Sequence, residues 1–213
     1  MNRQKALRFM YYIFGMLILA LGITLNTKTG LGVSPIISVP YSISQITHIN
    51  FGNMTLLIYC VFVLLELILK GKSAKPYDCL QIPLSIVFTR FMNLFAAYID
   101  IPLNNFFERL VLLIIAVILT GIGAAMSLDM RLVPNPGDGI VQAIADKINR
   151  EVGFTKNCFD LLNITITIAV SFVFTGKPIG IGVGTVIAVI GVGRTVAAFN
   201  RIFKERMCVS AGF

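Results

Sequence analysis

Charge is scarce in this chain of 213 residues: Asp, Glu, Lys and Arg together make up 13% of it, against 56% hydrophobic residues. A soluble domain of that length needs far more charged surface to meet water. Tryptophan is absent and histidine occurs once, at His48. A lone imidazole builds no metal site, and His48 reads as a surface residue without a role. The four cysteines, Cys60, Cys79, Cys158 and Cys208, show no C-x-x-C or Cys/His spacing, which argues against zinc and against a disulfide framework and leaves them as free thiols. Glycines are frequent from Gly176 to Gly193, but no Gly-Lys-Ser/Thr ending completes a nucleotide loop there. Close helix packing through small residues explains that run better. Paired catalytic carboxylates, a Ser/His/Asp arrangement and any soluble stretch able to hold an active site are all lacking. The chain therefore does not read as an enzyme, and no cofactor is implied.

What is present is a series of apolar runs long enough to cross a hydrocarbon core as helices. Six are read: Phe9 to Asn26, Met54 to Leu69, Leu80 to Tyr98, Leu110 to Leu128, Cys158 to Thr175 and Ile179 to Phe199. The first follows Arg3, Lys5 and Arg8 in the manner of a secretory signal, but no clean small-residue cleavage site comes after it, so it is kept as a membrane helix. The formal net charge of +8 is distributed by loop. With the N-terminus in the cytoplasm, the cytoplasmic segments hold thirteen of the eighteen cations, while the external ones hold only Lys28, Arg109 and Lys177. Such a bias predicts six spans with both termini cytoplasmic. It also accounts for the basic character without nucleic acid, whose partners carry clustered cations on a soluble face.

The two halves of the chain match. Without a gap, Gly22 falls on Gly123, Leu31 on Leu132, Pro35 on Pro136, Ile43 on Ile144 and Gly52 on Gly153; further on, Ile86 meets Ile190, Arg90 meets Arg194 and Phe95 meets Phe199. The order of elements also repeats: a span, a Gly/Pro-bearing segment, a less apolar stretch, a second span, a short loop and a third span. Three spans is an odd number, so two copies enter the membrane in opposite senses. That is the inverted-repeat plan of many secondary transporters and of some channels. The expected fold is thus all-α and polytopic, with six transmembrane helices in two inverted three-helix repeats, residues 1–105 and 106–213, forming one membrane domain.

Between the first and second spans of each half lies the least membrane-like sequence, residues 26–53 and 128–157. Ser34 and Pro35 open a short helix in the first copy; Asn135 or Asp138 caps one running to about Asn149 in the second. Each is either an interfacial amphipathic helix, the favoured reading for the more charged second copy, or a re-entrant helix whose N-terminal N–H groups point at an anionic ligand.

Arg90 and Arg194 lie inside apolar spans. A guanidinium there costs roughly 2.5 kcal/mol or more, so such residues usually face a polar interior. Each offers a planar fork suited to carboxylate, sulfonate or phosphate. Snorkelling to the interface beside Arg201 and Lys204 is the plainer reading of Arg194. Glu66, Asp129, Asp138 and Asp160 are the candidate counter-charges, with Glu66 read as a solvated interfacial partner of Lys70, one turn away. Asp160, Asn163 and Thr167 share one helix face, which either lines a cavity or bonds a neighbouring helix.

The passages TKTGLGVSPIISVPYSIS, LVPNPGDGIVQAIADKI and KPIGIGVGTVIAVIGVGRTVAAF resemble signature regions of the YczE/YyaS/YitT group of bacterial integral membrane proteins. The matching positions are Gly30, Leu31, Gly32 and Pro35; Pro136, Asp138 and Gly139; and Gly182, Gly184 and Thr185. Where many members carry a polar residue soon after the first proline, Ile36, Ile37 and Ser38 stand here. The resemblance implies a bacterial cytoplasmic membrane. The expected function is a small secondary transporter for a small polar, preferentially anionic, solute, with candidate site residues Arg90, Arg194, Ser34, Pro35, Asn135, Asp138, Asp160 and Asn163. Its partners are the solute and the lipid bilayer, with a homodimer compatible. The alternative is a non-transporting scaffold or substrate-binding subunit docked to another membrane protein.

Overall fold

The computed structural model describes residues 3–213 and is all-helical among them. Six helical segments are long and apolar enough to cross a membrane: Arg3–Lys28, Phe51–Ser73, Pro76–Tyr98, Phe106–Asp129, Val152–Thr175 and Val183–Ala211. The element order is α1 (Arg3–Lys28), α2 (Pro35–Thr47), α3 (Phe51–Lys70), α4 (Gln81–Tyr98), α5 (Phe106–Asp129), α6 (Pro136–Ile148), α7 (Val152–Thr175), α8 (Val183–Phe199) and α9 (Glu205–Ala211). A π-helical turn at Asn200–Lys204 joins α8 to α9.

The four-helix order α1 to α4 recurs as α5 to α8. The short helices make the correspondence clearest. Both α2 and α6 have 13 residues and start with proline, and both end at a left-handed residue, His48 at φ 57° and Asn149 at φ 52°. A proline at the first position gives up an N–H that no helix could use and presets φ. Asn and His are among the residues that tolerate the left-handed region, which turns the chain directly into the next helix.

The compact units do not follow the sequence halves, because the strongest helix pairings join one half to the other. One unit comprises the chain up to Gly32, Leu94–Leu132 and Gly182–Phe213; the second comprises Val33–Asn93 and Val133–Ile181.

In the first unit α1 packs along α5. The approach is close at two glycines that align between the sequence halves. A Cβ on Gly22 would lie 2.5 Å from the Thr120 backbone nitrogen, and one on Gly123 would strike the Leu19 backbone. The crossing thus excludes any side chain at either place, the small-residue contact by which helices associate without a hydrophobic drive between them. Leu25, Leu112 and Ala116 form one apolar cluster beside this crossing, and Leu113, Val117 and Ala188 form another where α8 docks on α5. Signature glycines meet in the same unit: the Gly184 N–H donates to the Leu31 carbonyl at 2.7 Å, and Gly32, at φ 107°, lies against Gly182.

In the second unit α2 packs on α7 and α3 on α6. The N-terminal turns of α2 and α6 also meet, since a Cβ on Gly137 would lie 3.1 Å from Ile36 Cγ2. Here α6 is buried along Pro136, Gly137, Gly139, Ile140, Val141, Ala143 and Ala145, so it is embedded among other helices rather than resting on a surface by one narrow stripe.

Candidate functional site

The buried residues of α7 are Thr155, Asp160, Asn163, Thr167 and Ser171, every one polar. Its apolar side chains, Leu161, Leu162, Ile166, Phe172, Val173 and Phe174 among them, are exposed. This inverts the pattern of a soluble helix. Lipid solvates the leucines and phenylalanines, and the polar groups turn to the protein because hydrocarbon offers them no partner.

Part of that polar face is helix-to-helix bonding. The Ser38 and Thr167 hydroxyls are 2.7 Å apart, as are those of Ser42 and Ser171, which rivets α2 to α7 one turn after another. The reading of Thr167 as a residue that bonds a neighbouring helix describes this end of the face. Ser38 is the polar residue that follows Pro35, and its partner is internal.

Towards the N-terminus of α7 the face is less satisfied. Asn163 donates to the Phe159 carbonyl at 2.7 Å. Asp160 is 9% exposed, and its Oδ1 has no hydrogen-bond partner. Its Oδ2 lies 3.5 Å from Lys156 Nζ, well beyond the roughly 2.7–2.9 Å of a strong charge-assisted bond. Burial holds the Asp138 carboxyl of α6 above its usual range, with Lys156 opposing the shift and Asp160 adding to it. Desolvation disfavours the charged form of an acid, and a second carboxylate nearby does the same. Asn135 caps α6 by accepting from the Gly137 N–H at 3.1 Å.

Ser34 and Pro35 open α2, as the sequence indicates, but Ser34 makes no side-chain cap bond. The Ile36 N–H likewise has no hydrogen bond among the described residues. Six of the eight expected site residues, Ser34, Pro35, Asn135, Asp138, Asp160 and Asn163, fall within the second unit.

The arginines depart from expectation. Both Arg90 and Arg194 are exposed rather than turned inward, and they belong to different units. The buried face of α4 carries Gln81, Ser85, Phe88, Thr89 and Met92. Arg90 stands nine residues from Gln81, about two and a half turns, and so on the opposite side of the helix. Its Nη2 donates to Asn53 Oδ1 at 2.8 Å, and none of the four candidate acids pairs with it. Arg194 makes no hydrogen bond or ion pair among the described residues.

Glu66 is a second correction. It does pair with Lys70, at 2.5 Å, but it is 0% exposed rather than solvated. Its Oε2 accepts from Gln81 Nε2 at 2.8 Å, and Lys70 also binds Asp78 at 3.0 Å. A Cβ on Gly139 would collide with Glu66 Oε2, so this signature glycine leaves room for a buried ion pair against α6. Asp129 is committed to Lys204 at 3.1 Å. An i, i+4 spacing is the same for a surface pair and a buried one, which is why the sequence did not reveal Glu66; Gln81, four residues before Ser85 on the same face, was the available clue.

The model of a family of unknown function, DUF6198, matches residues 6–201. Among curated proteins, the chain is 29% identical over 206 residues to the uncharacterized protein YyaS of Bacillus subtilis (strain 168), an alignment covering 93% of this chain and 95% of that protein. It is 26% identical over 183 residues to the uncharacterized membrane protein YczE of the same organism, covering 85% of this chain and 81% of YczE. An uncharacterized protein of Haemophilus influenzae is 25% identical over 193 residues, covering 91% of this chain and 83% of that one. No solved structure matches.

Proposed function

Starting from the fact that the chain belongs to the DUF6198 family, within the YczE/YyaS group, and is a multi-pass membrane protein, we propose that it is a small secondary transporter for a small polar solute, with an anion preferred. The observation that carries this reading is the second unit's polar interior. Two short helices bring their N-terminal turns together there, beside a transmembrane helix whose whole buried face is polar.

Each helix N-terminus carries a partial positive charge of roughly half a unit, and its free N–H groups suit an anion. At α2 the Ser34 hydroxyl and the Ile36 N–H remain uncommitted to capping, which supplies donors for a carboxylate or similar group. The anion preference thus rests on the helix ends and not on the arginines. In this reading α2–α3 and α6–α7 are re-entrant hairpin and span pairs, related by an inverted repeat, in a bacterial cytoplasmic membrane with both termini cytoplasmic. The repeat provides the two equivalent arrangements that alternating access requires.

Purified protein reconstituted alone into liposomes tests the proposal by uptake of radiolabelled acetate, lactate, sulfate and phosphate. Saturable uptake of one of these, competed by its own unlabelled salt, is the expected result. Uptake that appears only when a second membrane protein is added would replace the carrier by a docked binding subunit.

A further inference from the structure

The end of the first unit where α1 begins, α5 ends and α9 lies carries positive charge that solute binding does not use. Here α9 packs on the start of α1. The Ser210 hydroxyl donates to the Tyr11 oxygen at 3.2 Å, and a Cβ on Gly212 would lie 3.0 Å from the Gln4 side chain. The helical stretch that ends in α9, Val183–Ala211, has 29 residues, about 40 Å of helix against about 30 Å of hydrocarbon. Its excess length falls at the charged end, Arg201 to Arg206, because charge is costly in hydrocarbon. This end of the unit therefore lies at the level of the lipid headgroups.

The turn after α5 brings a second arginine to the same place. The Arg8 guanidinium donates through Nε to the Met130 carbonyl at 2.7 Å and through Nη2 to the Arg131 carbonyl at 2.9 Å. Both guanidiniums stand over the ring of Phe213, with Arg8 Cζ 4.7 Å and Arg131 Cζ 5.7 Å from its centroid, inside the roughly 6 Å at which a ring face attracts a cation. Neither pairs with a carboxylate among the described residues. Asp129, two residues before Arg131, is committed to Lys204 at 3.1 Å. Carbonyls and a ring thus orient two like charges without neutralising them, and like charges gathered on one ring repel until an anion joins them.

We propose that Arg8 and Arg131 form a headgroup site for an anionic phospholipid. The planar fork of a guanidinium matches the oxygens of a phosphodiester. Arg131 is exposed, so its fork is open to a ligand, and Arg8 keeps Nη1 beyond its two carbonyl bonds. The surface alongside is apolar: Phe9 and Met10 follow Arg8 directly and are exposed, as is Val209 of α9. Acyl chains cover such side chains, whereas a soluble phosphate has no use for them. Apolar surface joined to cations at headgroup depth is the combination that anionic membranes recognise. A lipid bound there ties together the start of α1, the turn after α5 and the end of α9. The site is independent of the transport reading.

Native mass spectrometry of the full-length protein, released from neutral detergent micelles doped with phosphatidylglycerol or with phosphatidylcholine of the same acyl chains, reads the lipid retained. The protein is expected to retain phosphatidylglycerol in preference. Arg131→Gln should weaken that preference roughly fivefold, one arginine's contribution at an anionic surface. Arg150→Gln, which removes an exposed arginine of the second unit, should leave it unchanged. Arg8→Gln also removes two carbonyl bonds, so Arg131→Gln carries the test where that variant fails to fold. Equal retention of the two lipids, or a preference undiminished in Arg131→Gln, overturns the site. An equal loss in Arg150→Gln overturns it too, by making the effect one of net charge. Glycerol phosphate added to lipid-free protein distinguishes the source of the phosphate: it should raise the melting temperature far less than phosphatidylglycerol does. An equal rise at equal concentration gives the two arginines to a soluble phosphate and overturns the lipid assignment.

Discussion

Helices α5 and α7 are both 24 residues long and both are candidate spans, yet they bury opposite chemistry. The buried face of α5 runs through Leu112, Leu113, Ala116, Val117, Gly121, Gly123 and Ala125 and turns polar only at Asp129. That of α7 is polar from Thr155 to Ser171. In the first unit, stability comes from close backbone approach, with Gly22 and Gly123 admitting the partner helix and small apolar clusters filling the space beside them. In the second, hydroxyl pairs and a buried ion network hold the helices, and some polar atoms are left over. A span kept polar on its protein side turns towards other helices the groups that hydrocarbon leaves without partners, whereas a span packed on glycine admits its neighbour's backbone.

The contrast can be broken most severely in the frame. Gly123→Leu would drive a side chain into the Leu19 backbone, where no rotamer relieves it, and should cost about 3 kcal/mol or more. Detergent-purified variant protein is expected to aggregate or to melt far below the native chain in a thermal scan. An unchanged melting temperature would mean that α1 and α5 are not in contact at this glycine.

In the second unit the largest loss should come from the ion network. Glu66→Ala leaves Lys70 with Asp78 alone and strands Gln81, and breaking a buried pair costs roughly 3 kcal/mol. The fall in melting temperature should exceed that of Asp146→Ala, whose side chain is exposed and bonded only to Gln142. A smaller effect is expected at the rivets. A double-mutant cycle of Ser38→Ala with Thr167→Val should return a coupling of about 0.6 kcal/mol, the usual size for an interhelical hydrogen bond in a membrane protein.

The pH dependence sharpens the comparison further. Asp138 sits above its usual carboxyl range, so its acid form is favoured in the fold. The resulting stabilisation is complete below the unfolded-state value and fades as pH rises through the raised one. Asp138→Asn should therefore flatten the decline of melting temperature on the alkaline side of that range. The smallest effect is predicted at Arg90→Gln: its guanidinium is exposed and bonded to one asparagine, so stability should shift by no more than about 0.5 kcal/mol. A large loss would indicate that this face of α4 is covered by another chain.

Much of the fold was legible before the structure. The apolar runs locate all six long helices, although polar first turns such as Arg3–Arg8 and Val152–Asn157 extend them beyond the runs. Pro35 marks the first short helix to the residue, because proline at a first turn is a local rule, whereas the second, expected behind a cap at Asn135 or Asp138, starts behind Asn135. The shared face of Asp160, Asn163 and Thr167 also follows from local periodicity. What was not legible depends on which side of a span meets protein. Hydropathy identifies a membrane helix without saying which face points inward, so Arg90 was expected in the interior, although its angular distance from Gln81 and Ser85 was already encoded. The interleaving of the two units arises from pairings between residues about a hundred positions apart, and no local pattern carries it.

Thiol accessibility along α7 tests the central claim most directly. In a background with Cys60, Cys79, Cys158 and Cys208 replaced by serine, single cysteines at Asn163, Thr167, Leu161 and Phe172 would be exposed to the water-soluble anionic reagent 2-sulfonatoethyl methanethiosulfonate in sealed vesicles. The account predicts modification at Asn163→Cys, on the less satisfied end of the face, and protection at Thr167→Cys, which bonds α2, and at Leu161→Cys and Phe172→Cys, which face lipid. Protection at Asn163→Cys in folded protein would contradict it and make the whole polar face of α7 a sealed contact between helices.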